Sequence, residues 1–235
     1  MNIELHSMRK TLRGEGMTIH PIKTRAPYIR SYGFQPDVII DVGVGSGTPW
    51  LYRSFPAARF VLIDPREECG DLVREKGHLE TFHFHATALG SAGGTARLKI
   101  PYSEKGRQSD MASLLTRTDK LSQTFTRTEE MDVSVRSLDE IALAYPGSIG
   151  LKIDAEGSEL EILRGARETL RRCEFVTMEM SVSDRFDGVG APSSAISLLA
   201  EAGLELRDIM TIGSGPGKKA RPRYLDILFS RWASQ

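Results

Sequence analysis

Three carboxylates lie within six residues, at a point where an apolar run gives way to a helical pattern. In the stretch LKIDAEGSELEILRGA, residues 151–166, Asp154, Glu156 and Glu159 follow the apolar segment Ile149–Ile153. A carboxylate at the end of a buried strand can take a proton from a hydroxyl group, and two carboxylates can hold a divalent cation. The competing explanation is that these acids only stabilise the start of a helix.

Helix capping accounts for some of these acids. Ser158 at the N-cap with Glu161 at N3 forms the sequence pattern of a capping box, and Glu159 in the first turn would favour the helix dipole. Capping does not account for Asp154, which comes directly after the apolar strand and too early to cap. We therefore predict a catalytic role for Asp154, with Glu156 lining the same turn.

A glycine-rich turn follows the first apolar strand. The sequence DVGVGSG, residues 41–47, places Asp41 two residues before Gly43, with Gly45 and Gly47 beyond it. Glycines at such a turn let the backbone approach a ligand closely. The next strand, in FVLIDP, ends in Asp64, where an acid of a doubly wound sheet binds the ribose hydroxyls of an adenosine-containing cofactor.

The spacing of this turn discriminates between two such cofactors. A dinucleotide fingerprint requires Gly or Ala at the position held by Thr48, which is followed by Pro49. Asp41 would repel a pyrophosphate, whereas it suits the cationic sulfonium and amino groups of S-adenosylmethionine. We therefore predict S-adenosylmethionine, with Asp41, the three glycines and Asp64 as binding residues. A tight turn without a ligand is the alternative.

Apolar runs alternate with amphipathic stretches along the chain. The predicted strands begin near residues 38, 60, 81, 149 and 174, and two late runs, 206–212 and 224–229, predict an antiparallel hairpin. The basic segment 215–223 would form the tip of that hairpin. This pattern predicts an α/β fold with a mostly parallel, doubly wound sheet. We expect one domain over residues 1–235, with a cover at 1–35 and a lid or mobile insertion at 101–130.

The bulk composition excludes several classes of protein. Lys plus Arg and Asp plus Glu number 31 each, so no basic field suggests a nucleic-acid partner. Cys69 and Cys173 are too few for a disulfide framework. The N-terminal residues contain no apolar segment typical of a signal peptide, and no run is long enough for a membrane span. We expect a cytoplasmic protein.

Two stretches carry a resemblance to a known family. The run from Gly33 to Pro65 resembles the opening of the FkbM family of S-adenosylmethionine-dependent methyltransferases. The stretch LKIDAEGSELEILRGA resembles that family's signature of Lys-x-Asp-x-Glu-Gly-x-Glu followed by Leu-x-Gly-Ala, and ALG, ASLL, VRSLDEI and VTMEM occur in the family's usual order. Val44 and the run from Ser46 to Trp50 depart from the family pattern, which leaves the contacts to the methionine part of the cofactor open.

The resemblance implies a class I methyltransferase that methylates hydroxyl groups. It places Ala88 and Leu89 in the cofactor pocket, and it makes the strands that end at Asp154 and Glu179 neighbours. Adjacent strands lie ~4.8 Å apart, so these two carboxylates would converge and could hold Mg²⁺. Asp154, Glu179 and Glu156 are then the predicted catalytic residues.

The predicted function is O-methylation of a sugar, glycolipid or secondary metabolite. The acceptor would be a small molecule or a glycan, and neither the acceptor nor the oligomeric state follows from the sequence. A nicotinamide-dependent oxidoreductase and a non-catalytic S-adenosylmethionine-binding protein are the alternatives. The glycine spacing argues against the former, and the four acids Asp41, Asp64, Asp154 and Glu179 together argue against the latter.

Overall fold

The computed structural model describes residues 2–17, 20–214 and 221–232, with side chains from residue 6 onward. In chain order the strands are β1 (Val38–Val42), β2 (Arg59–Asp64), β3 (His83–Ala86), β4 (Ala88–Leu89), β5 (Gly94–Ser103), β6 (Gly106–Arg107), β7 (Arg127–Arg136), β8 (Ile149–Ile153), β9 (Cys173–Ser181), β10 (Leu204–Ser214) and β11 (Pro222–Arg231). The helices are α1 (Asn2–Gly14), α2 (Ala26–Arg30), α3 (Pro49–Ser54), α4 (Glu68–Glu75), α5 (Leu138–Ala142), α6 (Glu159–Arg164), α7 (Arg167–Arg171) and α8 (Pro192–Glu201).

A seven-stranded sheet forms the centre of the fold, in the order β10-β11-β9-β8-β1-β2-β3. The strands from β9 to β3 are parallel, β11 is antiparallel to β9, and β10 pairs antiparallel with β11, which confirms the predicted doubly wound sheet and its terminal hairpin. Residues 215–220 of the predicted basic tip lie outside the described part. Among the described residues, no helix has the length and apolar character needed to cross a membrane.

The core lies on both faces of this sheet. Ile40 and Leu151 pack in one apolar cluster and Ile39 and Phe175 in the other, because successive side chains of a strand point to opposite faces. All five residues of β1 are buried. The continuous apolar runs seen in the sequence are therefore those of strands covered on both sides.

One predicted helix is two in the structure. The pattern from Ser158 to Arg171 suggested a single helix, but α6 ends at Arg164 and α7 begins at Arg167. The break coincides with Gly165, where an added Cβ would lie 2.1 Å from the backbone oxygen of Gly90. Close packing between two backbones thus requires glycine and interrupts the helix.

The predicted insertion at 101–130 is partly regular structure. Its ends belong to β5 and β7, which pair antiparallel within a second sheet of order β4-β7-β5-β6. Between them, residues 109–126 form a loop with 3₁₀ turns at Ser109–Met111 and Lys120–Thr124. Part of this loop reaches the carboxyl edge of the large sheet, where it forms one wall of a cavity.

Candidate active site

A cavity of about 420 Å³ opens at the carboxyl ends of the parallel strands. This volume lies within the range of ligand pockets, which is roughly 300–1,000 Å³. Its walls come from the glycine turn after β1, the ends of β2, β8 and β9, and the loop 109–114 of the insertion. The location is that predicted for ligands of open α/β sheets.

Three carboxylates converge at one side of this cavity. Oxygens of Asp154, Glu156 and Glu179 all lie within 4.8 Å of one another. They meet because β8 and β9 pair in parallel, with Ile153 beside Met178. This neighbourhood was predicted from the sequence. The side chain of Asp154 is 40% exposed, whereas that of Glu179 is almost buried.

Two arginines that the sequence did not single out neutralise this cluster. Arg185 contacts Glu179 through one terminal nitrogen and lies 2.8 Å from Glu156 Oε2 through the other. Arg117, from the insertion, donates to the same oxygen of Glu156 at 2.6 Å. Both guanidinium groups are buried. Asp154 is therefore the one acid of the three that pairs with neither arginine.

Burial changes the proton affinity of the two paired acids. Desolvation raises the pKa of Glu156, against the opposing effect of Arg117 and Arg185. Desolvation also raises the pKa of Glu179, and the charges of Asp154 and Glu156 add to that effect, while Arg185 opposes it. The cluster therefore favours retaining a proton within it near neutral pH.

The turn between β8 and α6 is held by Glu159 rather than by the predicted capping box. Ser158 occupies the N-cap, but its side chain caps no backbone N–H. The buried Glu159 carboxylate instead accepts hydrogen bonds from the N–H groups of Ala155 and Gly157 at 2.9 and 3.1 Å. Glu156 takes a φ of +48°, which non-glycine residues rarely adopt. The capping-box prediction was wrong because Glu159 turns back into the preceding loop.

The glycine turn is packed tightly against this acidic turn. Gly43, Gly45 and Gly47 all have positive φ, in the region that favours glycine. A Cβ on Gly43 would lie 1.7 Å from the backbone oxygen of Asp154. Only glycine therefore permits the two turns to meet. The three glycines line the cavity, as do Ala88 and Leu89.

Asp41 lies behind the cavity instead of in it. The predicted contact of this carboxylate with the cofactor requires an accessible side chain, but Asp41 is a buried member of β1 with 0% exposure. It accepts a hydrogen bond from Tyr52 Oη at 2.6 Å, and Lys152 Nζ lies 3.2 Å from its other oxygen. Asp41 thus contacts Lys152, which lines the cavity, and does not line the cavity itself.

Lys152 connects this buried acid with the cavity. Its ammonium group donates to the backbone oxygen of Gly43 at 3.1 Å and lies 3.6 Å from Asp154 Oδ2. Burial works against the charged form, but Asp41 and Asp154 raise the pKa of Lys152 above its ordinary value. The lysine therefore stays charged and positions Asp154 relative to the glycine turn.

Asp64 lines the cavity at the end of β2, but Arg66 engages it. Asp64 Oδ1 accepts from the backbone N–H and Nε of Arg66 at 3.0 and 2.9 Å. Its Oδ2 accepts from Gly45 N at 3.0 Å and from a terminal nitrogen of Arg66 at 2.9 Å. A carboxylate has about four acceptor positions, so these four bonds leave none for a ribose hydroxyl. The predicted ribose contact therefore requires Arg66 to move.

Two polar side chains in the cavity were missed in the sequence. Thr177 is buried with no hydrogen-bond partner for its Oγ1 among the described residues. Asp226 lies opposite Glu179 in the β9–β11 pairing, and burial raises its pKa. Both line the cavity. A charge inside the apolar strand YLDILF, residues 224–229, was the available signal for Asp226. Thr177 gave none.

Comparison with known proteins identifies the family. The description "Methyltransferase FkbM domain" matches residues 41–213, which is well over half of the chain. The chain belongs to the FkbM methyltransferase family. The match includes the glycine turn and the acidic turn described above. No curated protein matches this FkbM methyltransferase.

Solved structures of methyltransferases resemble its fold at low sequence identity. The magnesium protoporphyrin IX methyltransferase of Synechocystis PCC 6803, with bound S-adenosylmethionine, is 9% identical with a TM-score of 0.45, over 88% of this chain and 76% of that one. The TehB-like methyltransferase of Corynebacterium glutamicum is 13% identical with a TM-score of 0.41, over 97% of both chains.

A third such structure is a methyltransferase that acts on nitrogen. The N-methyltransferase NodS of Bradyrhizobium japonicum, in complex with S-adenosyl-L-homocysteine, is 12% identical with a TM-score of 0.44, over 86% of this chain and 83% of that one. Likenesses at this level concern the fold alone. They do not identify the acceptor of this FkbM methyltransferase.

Proposed function

We propose that this FkbM methyltransferase transfers a methyl group from S-adenosylmethionine to a hydroxyl of a sugar, glycolipid or secondary metabolite. The observation that carries the proposal is the position of Asp154. Its carboxylate is accessible and pairs with neither of the arginines that neutralise its neighbours, and its backbone packs against the glycine turn. Such a group is placed to receive the proton that a hydroxyl loses on methylation.

The walls of the cavity fit an adenosine-containing sulfonium cofactor. The glycine turn lines the cavity with backbone that carries no side chains at Gly43, Gly45 and Gly47, and Ala88 and Leu89 add apolar surface to the lining. Asp64, at the end of β2, would face the ribose once Arg66 has moved. When bound, S-adenosylmethionine supplies an electrophilic methyl group on a cationic sulfur.

The residues of the chain then have separate tasks. Asp154 accepts the acceptor's proton, and Lys152 orients Asp154 from behind. Glu179 and Glu156, held in place by Arg185 and Arg117, form the side of the site next to Asp154. Thr177 offers an unpaired hydroxyl for orienting the acceptor. In-line displacement depends mainly on such positioning.

The acidic cluster does not fit a divalent cation. Asp154 and Glu179 were considered as ligands of Mg²⁺, which prefers oxygen donors in octahedral geometry. In the structure the guanidinium of Arg185 bridges Glu179 and Glu156, and Arg117 pairs with Glu156 as well. A buried internal cation therefore occupies the side of the cluster that a metal would need. No step of the proposed methyl transfer therefore involves Mg²⁺.

Two alternatives lose support on specific observations. A nicotinamide-dependent oxidoreductase would require the dinucleotide fingerprint that Thr48 interrupts, and it would place a pyrophosphate near the Asp154 turn. A non-catalytic cofactor-binding protein would leave Asp154 without a task. Gly43 packs against the backbone of Asp154, so the glycine turn and the residue that carries this carboxylate have fixed relative positions.

The test has two stages. Calorimetric titration with S-adenosylhomocysteine and, separately, NADH establishes the cofactor, and we expect binding of the former alone. Transfer of a radiolabelled methyl group from S-adenosylmethionine to a panel of hydroxylated acceptors then establishes the reaction. Asp154→Asn should lower the rate by about 10²–10⁴ without loss of S-adenosylhomocysteine binding. Asp132→Asn, an exposed acid on β7, is the matched control. Methyl transfer to amines but not to hydroxyls would reject the proposal.

A further inference from the structure

A second cavity, of about 270 Å³, lies under the insertion beside the active site. Its walls come from β5, the start of β7 and the loop 111–126. Among the described residues that line it, three are basic and none is acidic. Those three are Lys99, Arg117 and Arg127. The remaining wall includes several hydroxyl side chains, among them Thr116, Ser122 and Thr128.

Two of these cations are not neutralised by a carboxylate. Within the described part of the chain, Lys99 and Arg127 have no acidic side chain within 4 Å. Lys99 Nζ donates to Thr116 Oγ1 at 2.6 Å, and the guanidinium of Arg127 stacks on the ring of Tyr102. Glu130, which lies opposite Lys99 in the β5–β7 pairing, is hydrogen-bonded to Arg97 at 3.2 Å instead. The cavity therefore has a net positive charge.

Arg117 is the third cation; it lines the second cavity and pairs with Glu156, which lines the first. Its terminal nitrogens are bound to Asp119 and to Glu156 at 3.3 and 2.6 Å. Its Nε is buried and has no hydrogen-bond partner in the described structure. A buried donor without a hydrogen-bond partner costs free energy, and a bound oxyanion would supply an acceptor for it.

One residue lines both cavities. Ser113 is held to β5 by backbone hydrogen bonds with Lys99 at 2.9 and 3.0 Å. Its hydroxyl donates to the backbone oxygen of Glu156 at 2.6 Å. The second cavity is therefore adjacent to the acidic turn, within reach of one extended acceptor.

We propose that this second cavity binds an oxyanion substituent, such as a phosphate monoester, carried by the methyl acceptor. The acceptor's hydroxyl would then lie at Asp154 while its anionic group lies between Lys99, Arg127 and the hydroxyl side chains. Oxyanions accept several hydrogen bonds at once, and charge-assisted bonds from Lys and Arg are the strong ones. This inference rests on the proposed function because it names the class of acceptor.

The experiment uses inorganic phosphate, glucose and glucose 6-phosphate as probes, titrated calorimetrically into the full chain at constant ionic strength. We expect phosphate to bind, and glucose 6-phosphate to bind at least tenfold more tightly than glucose. Lys99→Gln should weaken phosphate binding at least fivefold, and Arg127→Gln should do so independently. Lys105→Gln, at the exposed turn between β5 and β6, is the matched control and should leave it unchanged. Thermal unfolding shows whether each variant is folded.

The outcomes separate this inference from the proposed function. Absence of phosphate binding, or equal weakening by Lys99→Gln and Lys105→Gln, would overturn the anion site. Phosphate binding with no preference for glucose 6-phosphate over glucose would overturn its link with the acceptor. S-adenosylhomocysteine binding is measured on the same samples, and we expect all three variants to retain it. If the wild-type chain does not bind S-adenosylhomocysteine, the proposed function is refuted, while the phosphate result can still be interpreted.

Discussion

Arg66 fills every acceptor position of Asp64 that Gly45 leaves open. The same arginine donates to the backbone oxygen of Ser109 at 2.6 Å, which links the end of β2 to the insertion. The pair is buried, with side-chain exposures of 2% for Asp64 and 7% for Arg66. The acid expected to bind ribose is thus also the anchor of the cavity wall opposite the glycine turn.

This pair makes a simple substitution of Asp64 misleading. Asp64→Ala leaves the Arg66 guanidinium buried without its carboxylate, which should lower the free energy of unfolding by about 3–5 kcal/mol. The double variant Asp64→Ala/Arg66→Met should recover a large part of that loss. Chemical denaturation of the two single variants and the double variant measures the coupling. Equal destabilisation by the double variant and the sum of the singles would mean that the pair is not coupled.

Glu159 should make stability depend on pH near neutrality. Burial raises the pKa of Glu159 to about 7, against the backbone N–H groups that favour its ionised form. A carboxyl in the unfolded chain has a pKa of about 4.3. The folded chain therefore holds this proton more tightly, and the stabilisation is full below the unfolded value and is lost as the pH rises through about 7.

The size of this effect is bounded by the pKa difference. We expect the free energy of unfolding to fall by up to about 3 kcal/mol between pH 5 and pH 8. Glu159→Gln should reduce this dependence, because the amide oxygen still accepts from Ala155 and Gly157 but does not titrate. Glu161→Gln, an exposed acid on the same helix, should leave the dependence unchanged. Denaturant midpoints at four pH values distinguish the two variants.

Glu179 should shape the pH profile of methyl transfer. Its pKa is raised by burial and by the neighbouring acids, so that ionisation proceeds as the pH rises above the ordinary carboxyl range. Ionisation of Glu179 adds negative charge beside Asp154, which favours removal of the proton from the acceptor's hydroxyl. The rate should therefore rise with pH in the wild-type chain. Glu179→Gln should flatten that rise, and an unchanged profile would show that Glu179 does not act on Asp154.

Arg185 should make the reaction independent of divalent cations. Because its guanidinium bridges Glu179 and Glu156, EDTA should leave the rate unchanged, and added Mg²⁺ should not increase it. Arg185→Met opens the acidic cluster and should create a site for Mn²⁺ detectable by electron paramagnetic resonance. Arg107→Met, which removes a partly exposed arginine of the insertion, should not. Loss of wild-type activity in EDTA, restored by Mg²⁺, would contradict this prediction.

Sequence reasoning succeeded where local pattern determines position. The strand ending at Ile153 and the convergence of Asp154 with Glu179 follow from alternating apolar runs and parallel pairing. Gly43 and its partners were recognisable because positive φ at a strand-to-helix turn demands glycine. The strand positions and the hairpin were predicted for the same reason.

The failures concern contacts between distant segments. Arg185 reaches Glu179 across a turn, and Arg117 reaches Glu156 from the insertion; neither pairing leaves a periodic trace in the sequence. Asp41 was expected beside the cofactor because it precedes the glycine turn and would suit a cationic ligand, whereas β1 continues to Val42 and buries it. Glu159 was misassigned because a capping box and an inward-turned acid share the same spacing.

The insertion is joined directly to the acidic cluster, and this bears on how such a site can diversify. Arg117 donates to Glu156 at 2.6 Å, and the backbone N–H of Thr118 donates to the backbone oxygen of Arg185 at 2.9 Å. The glycine turn belongs instead to the seven-stranded sheet. Exchange of residues 109–126 between relatives would therefore alter acceptor choice and the neutralisation of Glu156 together, so the insertion and the loop that carries Arg185 would have to evolve as a pair.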